Sequence, residues 1–294
     1  MNRLFQYLLF LVGFIPVALS AQPFVIDSGL NITRSPGNDL FPKWSPDGKN
    51  LVYQSFRNGN WDIFVYDIEK DTSFQLTSDT ENEQHPVWFD RGKKVVFDCN
   101  YGEGIRLYVQ DTDTKEIKLL FHREIEARQP AFANHDDLVF FSGFDPQQKI
   151  WKIYSYEFYY QNLNKLFGKT GSSTYPAVSP KGDMIIFLFT GRGETESELI
   201  RINWYGNVIS QFDEFGFLDP SFAANGNLIY FVSRKNNLQG EVYSMHNDGS
   251  HLERLTNDDY IVRCPQVSPD GSKIAVSVKK GDNFDIYIIP LETF

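Results

Sequence analysis

Five histidines (His85, His122, His135, His246 and His251) and two cysteines (Cys99 and Cys264) are the residues best suited to metal or nucleophilic chemistry, and they are scattered. A catalytic metal needs clustered ligands. None of these spacings supplies one, so no metal site is expected, and the two cysteines fall too far apart in the repeat described below to be read as a bridge. No Gly-x-Ser-x-Gly elbow occurs, which removes the serine-hydrolase reading. Gly191-Arg192-Gly193 lacks the rest of a phosphate cradle, and no cofactor is expected. Carboxylates are the abundant chemical group: 38 Asp and Glu against 28 Lys and Arg give a formal charge of −10. That surplus, with no basic block, excludes nucleic acid as a partner, because affinity for phosphate backbones rests on clustered Lys and Arg. It leaves open a pair of facing carboxylates of the kind used by glycosidases. Asp62, Glu198, Glu241 and Asp285 form a tempting set, but Arg106 and Lys152 hold the same repeat position, so the set reads as solvated strand starts.

The elements that would position such groups come from a repeat. Prolines recur in one context at Pro42, Pro86, Pro130, Pro176, Pro220 and Pro265, 44 to 46 residues apart. Two residues after each stands a bulky apolar side chain (Trp44, Trp88, Phe132, Val178, Phe222, Val267). A turn follows, clearest as Ser45-Pro46-Asp47-Gly48 and Ser268-Pro269-Asp270-Gly271, where Pro presets φ and Gly accepts φ > 0. Each unit then carries a β-rich run, a polar loop, a third run such as Asp62-Ile63-Phe64-Val65-Tyr66, and a short fourth run such as Phe74-Gln75-Leu76-Thr77. Aromatic residues make up 16% of the chain, which suits pleated surfaces. Four short strands cannot bury both faces alone, whereas six four-stranded antiparallel sheets stacked radially can. The fold expected is all-β: a six-bladed propeller occupying 22–294. Only five residues follow the last third run, so the sixth blade takes its outer strand from Phe24 to Thr33, which closes the ring.

At Pro42-Lys43-Trp44-Ser45-Pro46-Asp47-Gly48 with Asn60-Trp61-Asp62-Ile63-Phe64, and again at Pro265 to Gly271 with Asn283-Phe284-Asp285-Ile286-Tyr287, the chain resembles the TolB-like propeller repeat. The resemblance covers nearly all of 22–294 and rests on turn and packing positions, so it speaks to fold more than to function. It implies a periplasmic protein that holds other proteins, as TolB holds a peptidoglycan-associated lipoprotein at one propeller face. TolB-like proteins of the Tol system carry an α/β domain ahead of the propeller, and here about twenty residues separate the expected cleavage site from Pro42.

Arg3, the apolar run Leu4 to Leu19 and the small residues Ala18-Leu19-Ser20-Ala21 read as an export signal over 1–21. The mature chain is expected to be a monomer, periplasmic or secreted, with no membrane span. Its working surface is expected where the loops enter the innermost strands, just before each repeat proline. There His85, Arg128, Gln129, Tyr175, Asp219 and Arg263 are the candidate contacts for an envelope protein or peptide at the channel mouth, because Arg and Tyr combine planar hydrogen bonding with rigid contact area. The alternative is a secreted carbohydrate-active enzyme, a glycosidase or lyase. Two carboxylates facing each other at the mouth favour the enzyme, and a mixed aromatic and Arg rim favours binding.

Overall fold

The computed structural model describes residues 24–133, 137–213, 216–257 and 259–291; the expected export signal and His135 lie outside them. Within these residues the chain forms six four-stranded antiparallel sheets. Blade 1 runs Asp39–Trp44, Asn50–Ser55, Asp62–Asp67 and Thr72–Gln75, and the remaining blades repeat that order outward from an innermost strand that carries the repeat proline. The innermost strand of blade 1 touches those of blades 2 and 6, so the sheets form a closed six-bladed propeller.

Period-two alternation decides how the blades bind one another, because successive side chains leave opposite faces of a strand. Leu51 and Tyr53 pack towards blade 6, while Val52 between them packs towards blade 2. Val95 and Phe97 likewise face blade 1 and Val96 faces blade 3. Each of the six interfaces between blades thereby holds its own apolar cluster.

The Ser-Pro-Asp-Gly turns behave as their residues require. Gly48 and Gly271 take φ of 71° and 75°. Ser45 Oγ donates to Asp47 Oδ1 at 2.6 Å and accepts the Asn50 amide at 2.9 Å, so one hydroxyl closes the bend from both sides.

The ring closes where expected, with a shorter strand. Leu30 and Asn31 pair with Ile288 and Tyr287 of the last strand, and the Ile32 amide donates to the Ile286 carbonyl at 2.9 Å. Ile26–Ser28 is a single 3-10 turn instead of strand. It drops Ile26, fully buried, into the core between blades 5 and 6, while the Phe24 amide donates to the Leu255 carbonyl of blade 5. Gly29 permits this, since a Cβ there would stand 2.7 Å from Ile289 Cγ1.

The solvated strand starts need correction. Asp62 and Glu241 are buried, and Lys152, at the same repeat position, is fully so. The Leu-Thr end of a blade explains it: Thr77, Thr256 and Thr33 accept the amides of Ile63, Val242 and Ile286, pinning the third strand to the outer edge. The acid beside the pin accepts the threonine hydroxyl at Glu241 and Asp285. Lys152 Nζ is taken by the Lys169 carbonyl instead. A buried polar group needs such a partner, and Asp62 finds its own in Asn58 and Asn60.

Candidate functional site

The residue before each repeat proline has an unusual backbone. Phe41, His85, Gln129, Tyr175, Asp219 and Cys264 all take φ between 48° and 56°. A residue before proline is normally extended, and αL is sparsely populated for non-glycine residues. In every blade the inner-strand register slips across this point, as between Leu40 and Lys43 or between Arg128 and Ala131. Such a bulge re-aims one side chain. Here it turns all six side chains towards the axis, where they line a cavity of about 50 Å³.

Neighbouring blades hold the strained amides. His85 N–H donates to Gln54 Oε1 of blade 1 at 2.8 Å, and Gln129 N–H to Asp98 Oδ1 of blade 2 at 2.9 Å. Tyr175 N–H donates to Gln129 Oε1 of blade 3 at 3.0 Å, and Cys264 N–H to Asp219 Oδ2 of blade 5 at 3.1 Å. The Phe41 backbone bonds the Cys264 side chain, joining the last blade to the first. Each acceptor thus belongs to the blade before the donor, and the ring is rigid because it is shared.

Three aromatic side chains meet on the axis. Phe41 lies edge-on to His85 with centroids 4.7 Å apart, and stacks on Tyr175 of the opposite blade at 6.0 Å. Burial pushes the Tyr175 hydroxyl up to about 12, so it stays a neutral hydrogen-bonding group. His85 Nδ1 stands 2.9 Å from Asp98 Oδ1.

The remaining candidates divide by exposure. Gln129 and Asp219 are only 5% and 7% exposed, and their side chains hold the ring. Arg263 grips Asp219 through Nε at 2.5 Å and Nη2 at 3.1 Å, a bidentate pair that raises the guanidinium pKa against the opposing pull of burial. Arg128 is half-buried with its guanidinium 3.9 Å from the Trp151 ring centroid. Burial lowers its pKa, and its Nε has no hydrogen-bond partner among the described residues. The structure therefore gathers all six sequence candidates at one end of the axis, with Arg128 and Arg263 one residue outside the ring that Gln129, His85, Tyr175 and Asp219 help to form.

Sequence reasoning missed two features. Phe41 and Cys264, which the sequence already sets before repeat prolines but which were not among the candidate contacts, belong to the ring as much as His85 does. The other is the opposite end of the axis, where a wider vestibule of about 590 Å³ opens among the Ser-Pro-Asp-Gly turns. Among the described residues no group of three or more His, Cys, Asp or Glu stands close enough together to hold a metal ion. Cys99 and Cys264 are free, buried thiols.

Comparison with known proteins places this geometry in a family. The Tol-Pal system protein TolB of Francisella tularensis subsp. mediasiatica is 20% identical over 234 residues, which is 78% of this chain and 54% of the relative. The chain thus spans about half the length of the curated relatives it matches. TolB from Acinetobacter baumannii superposes with a TM-score of 0.68 at 22% identity, covering 80% of this chain and 58% of that one. The oligogalacturonate lyase of Vibrio parahaemolyticus shares the fold with a TM-score of 0.61 at 10% identity, over 88% of this chain and 92% of that one. No helix among the described residues is long and apolar enough to cross a membrane. The family model described as the TolB beta propeller domain matches residues 25–216, and the chain belongs to that family.

Proposed function

We propose that the chain is an exported, non-enzymatic binding module of the cell envelope, periplasmic or secreted, whose protein or peptide partner docks on the pre-proline end of the propeller. The composition of that end carries the reading. Of the carboxylates at its ring Asp219 is engaged by Arg263, and Asp98, buried behind it, is held by the Gln129 amide and His85, so the two are committed to the scaffold and not presented as the facing acid pair that glycoside chemistry uses. What it offers instead is aromatic area from Phe41, His85 and Tyr175 on a backbone locked by neighbouring blades, with Arg128 beside it. Rigid aromatic and Arg anchors are what interfaces use for most of their energy. The naming of the relatives as Tol-Pal system proteins supports an envelope partner.

The test is capture from envelope extract by the immobilised chain. Replacing Arg128 and Tyr175 together by Ala should weaken the captured partner by about 1–4 kcal/mol, the usual range for anchor residues, with folding retained. Equal capture by the double variant, with capture lost on altering the Ser-Pro-Asp-Gly turns, places the partner at the other end and overturns the proposal.

A further inference from the structure

One residue beyond each repeat proline the inner strands form a second ring, Lys43, Val87, Ala131, Ala177, Ser221 and Gln266, and all six line the vestibule at the turn end. Its make-up is lopsided. Blade 1 contributes a long cation, which reaches Gln266 of blade 6, while the blade opposite contributes Ala177 and the next one Ala131, small residues that leave the axis open on that side. Among the residues that line the vestibule the charged ones are Lys43 and Arg91, with no carboxylate, in a chain whose net charge is −10.

Among the described residues Lys43 has no counter-ion within ion-pair distance. Its ammonium has three donors, and its one hydrogen-bond partner among the described residues is the neutral Gln266 Oε1 at 2.9 Å. Asp219 acts on it through space, but that carboxylate is already gripped by both arms of Arg263. Burial, the largest influence on Lys43, lowers its pKa. Above it the walls are aromatic. The Trp44 indole N–H is taken by the Gln266 carbonyl at 3.0 Å and the Trp88 indole N–H by the Lys43 carbonyl at 2.9 Å. Trp44 is itself buried, so the apolar surface left for a guest is mainly that of the half-buried Trp88 and Phe89. A volume of about 590 Å³ is that of an ordinary small-molecule site.

We propose that the vestibule binds a small organic carboxylate with an aromatic or apolar body, its carboxylate on Lys43 and its body against Trp88 and Phe89. Lys43 also borders the pre-proline cavity, so the two sites adjoin along the axis, but the ligand's body lies on the turn side and the partner surface on the other, and the variants that test them differ. Charge-assisted hydrogen bonding to the ammonium would supply orientation, and burial of the body most of the affinity.

The test is calorimetric titration of the whole protein with phenylpropionate and with its neutral amide, phenylpropionamide. The acid should bind saturably, and the amide at least about 10-fold more weakly, a loss of about 1.4 kcal/mol. Lys43→Met, which keeps the stem and removes the charge, should lose the acid by a similar factor, and Lys43→Arg should recover part of it. Should Lys43→Met not fold, bromophenylpropionate on the wild-type protein replaces it, since bromine held in the vestibule quenches the emission of Trp88. The proposal is overturned by an amide that binds as well as the acid, by undiminished binding to a folded Lys43→Met protein, by bromophenyl acid that binds without quenching, or by no saturable binding up to about 10 mM, where a site worth about 3 kcal/mol would begin to fill.

Discussion

At the pre-proline end of the axis Asp39 and Glu83 are buried and held back from ionising, whereas at the turn end Asp47 and Asp270 are exposed and held ionised. Asp39 and Glu83 occupy the same position, three residues before the repeat proline, in blades 1 and 2. Burial raises both pKa values, and for Glu83, where a hydrogen bond with Asp79 adds to it, the value reaches about 8. At the turn end hydrogen bonds from Ser45 and from Ser268 lead the causes that lower Asp47 and Asp270, the latter to about 2. One repeat makes both ends, so the difference comes from register. The position three before proline is buried, and there desolvation outweighs the Ser35 hydroxyl and Arg57 at Asp39 and the Tyr101 hydroxyl at Glu83. The turn position sits among hydroxyl and amide donors with little burial to oppose them. Shape divides the same way: side chains before the proline close the axis, and small ones after it leave the vestibule.

Both ends exist only while the ring is closed, so the largest effect should come from opening it. Deleting 24–33 removes the partner strand of the last blade, the Ile26 plug between blades 5 and 6, and the Thr33 hydroxyl that holds the Ile286 amide. An exposed sheet edge and a lost core residue together should cost more than about 5 kcal/mol and leave an aggregation-prone chain. A truncated protein with the wild-type melting temperature would mean that the ring is closed by something else.

The electrostatic contrast is tested next by pH. Glu83 has its folded pKa raised from 4.5 to about 8, so the folded state binds more protons than the unfolded state between those values. Stability from this group is therefore greatest below about pH 4.5, falls as pH rises through the window, and is flat above about pH 8, a total of at most about 5 kcal/mol. Glu83→Gln should remove that slope in melting curves taken from pH 5 to 8. Asp270 runs the other way: its lowered pKa gives stability that is present above about pH 4 and lost as pH falls towards 2. Parallel pH profiles for wild type and Glu83→Gln would erase the difference between the ends.

The turn end can be probed through its backbone alone. A Cβ on Gly48 would meet nothing nearer than Pro269 Cδ at 3.7 Å, so space is available and only φ of 71° opposes a side chain. Gly48→Val should then cost about 1–2 kcal/mol in chemical denaturation, and Gly48→Asn, which tolerates αL, clearly less. Equal losses for both would point to a packing role in place of the conformational one.

Much of this architecture was legible because it is local. The Ser-Pro-Asp-Gly bend, the alternation of Leu51, Val52 and Tyr53, and the repeat interval each express a physical rule acting within a few residues. The six candidate contacts were also placed at one end of the axis, because their position relative to the prolines fixes where they enter a blade. What stayed hidden depends on neighbours distant in sequence. Nothing in Phe41, His85, Gln129, Tyr175, Asp219 and Cys264 announces a shared αL backbone, since it is stabilised by acceptors on other blades. Asp62 and Glu241 read as solvated because charged residues usually are, and what lets them be buried is Asn58 and Asn60 at Asp62 and the outer-strand Thr256 at Glu241. Lys43 becomes noteworthy once Ala131 and Ala177 are known to share its ring.

The smallest effect expected separates residues that build the pre-proline end from one that is available to a partner. Asp219 and Gln129 hold backbone amides of the next blade, so changing them alters the ring itself. Among the described residues Arg128 holds no such bond; its guanidinium lies over the Trp151 ring and its buried Nε is unpartnered. Arg128→Ala should lose one cation–π contact and at the same time relieve one unsatisfied donor, so the net change in stability should be under about 1 kcal/mol. Trp151→Ala removes the aromatic platform as well and should cost more. If Arg128→Ala proves as destabilising as Asp219→Ala in denaturant titrations, Arg128 is part of the scaffold and its place in the proposed partner surface falls, leaving Tyr175 and Arg263 to carry that surface.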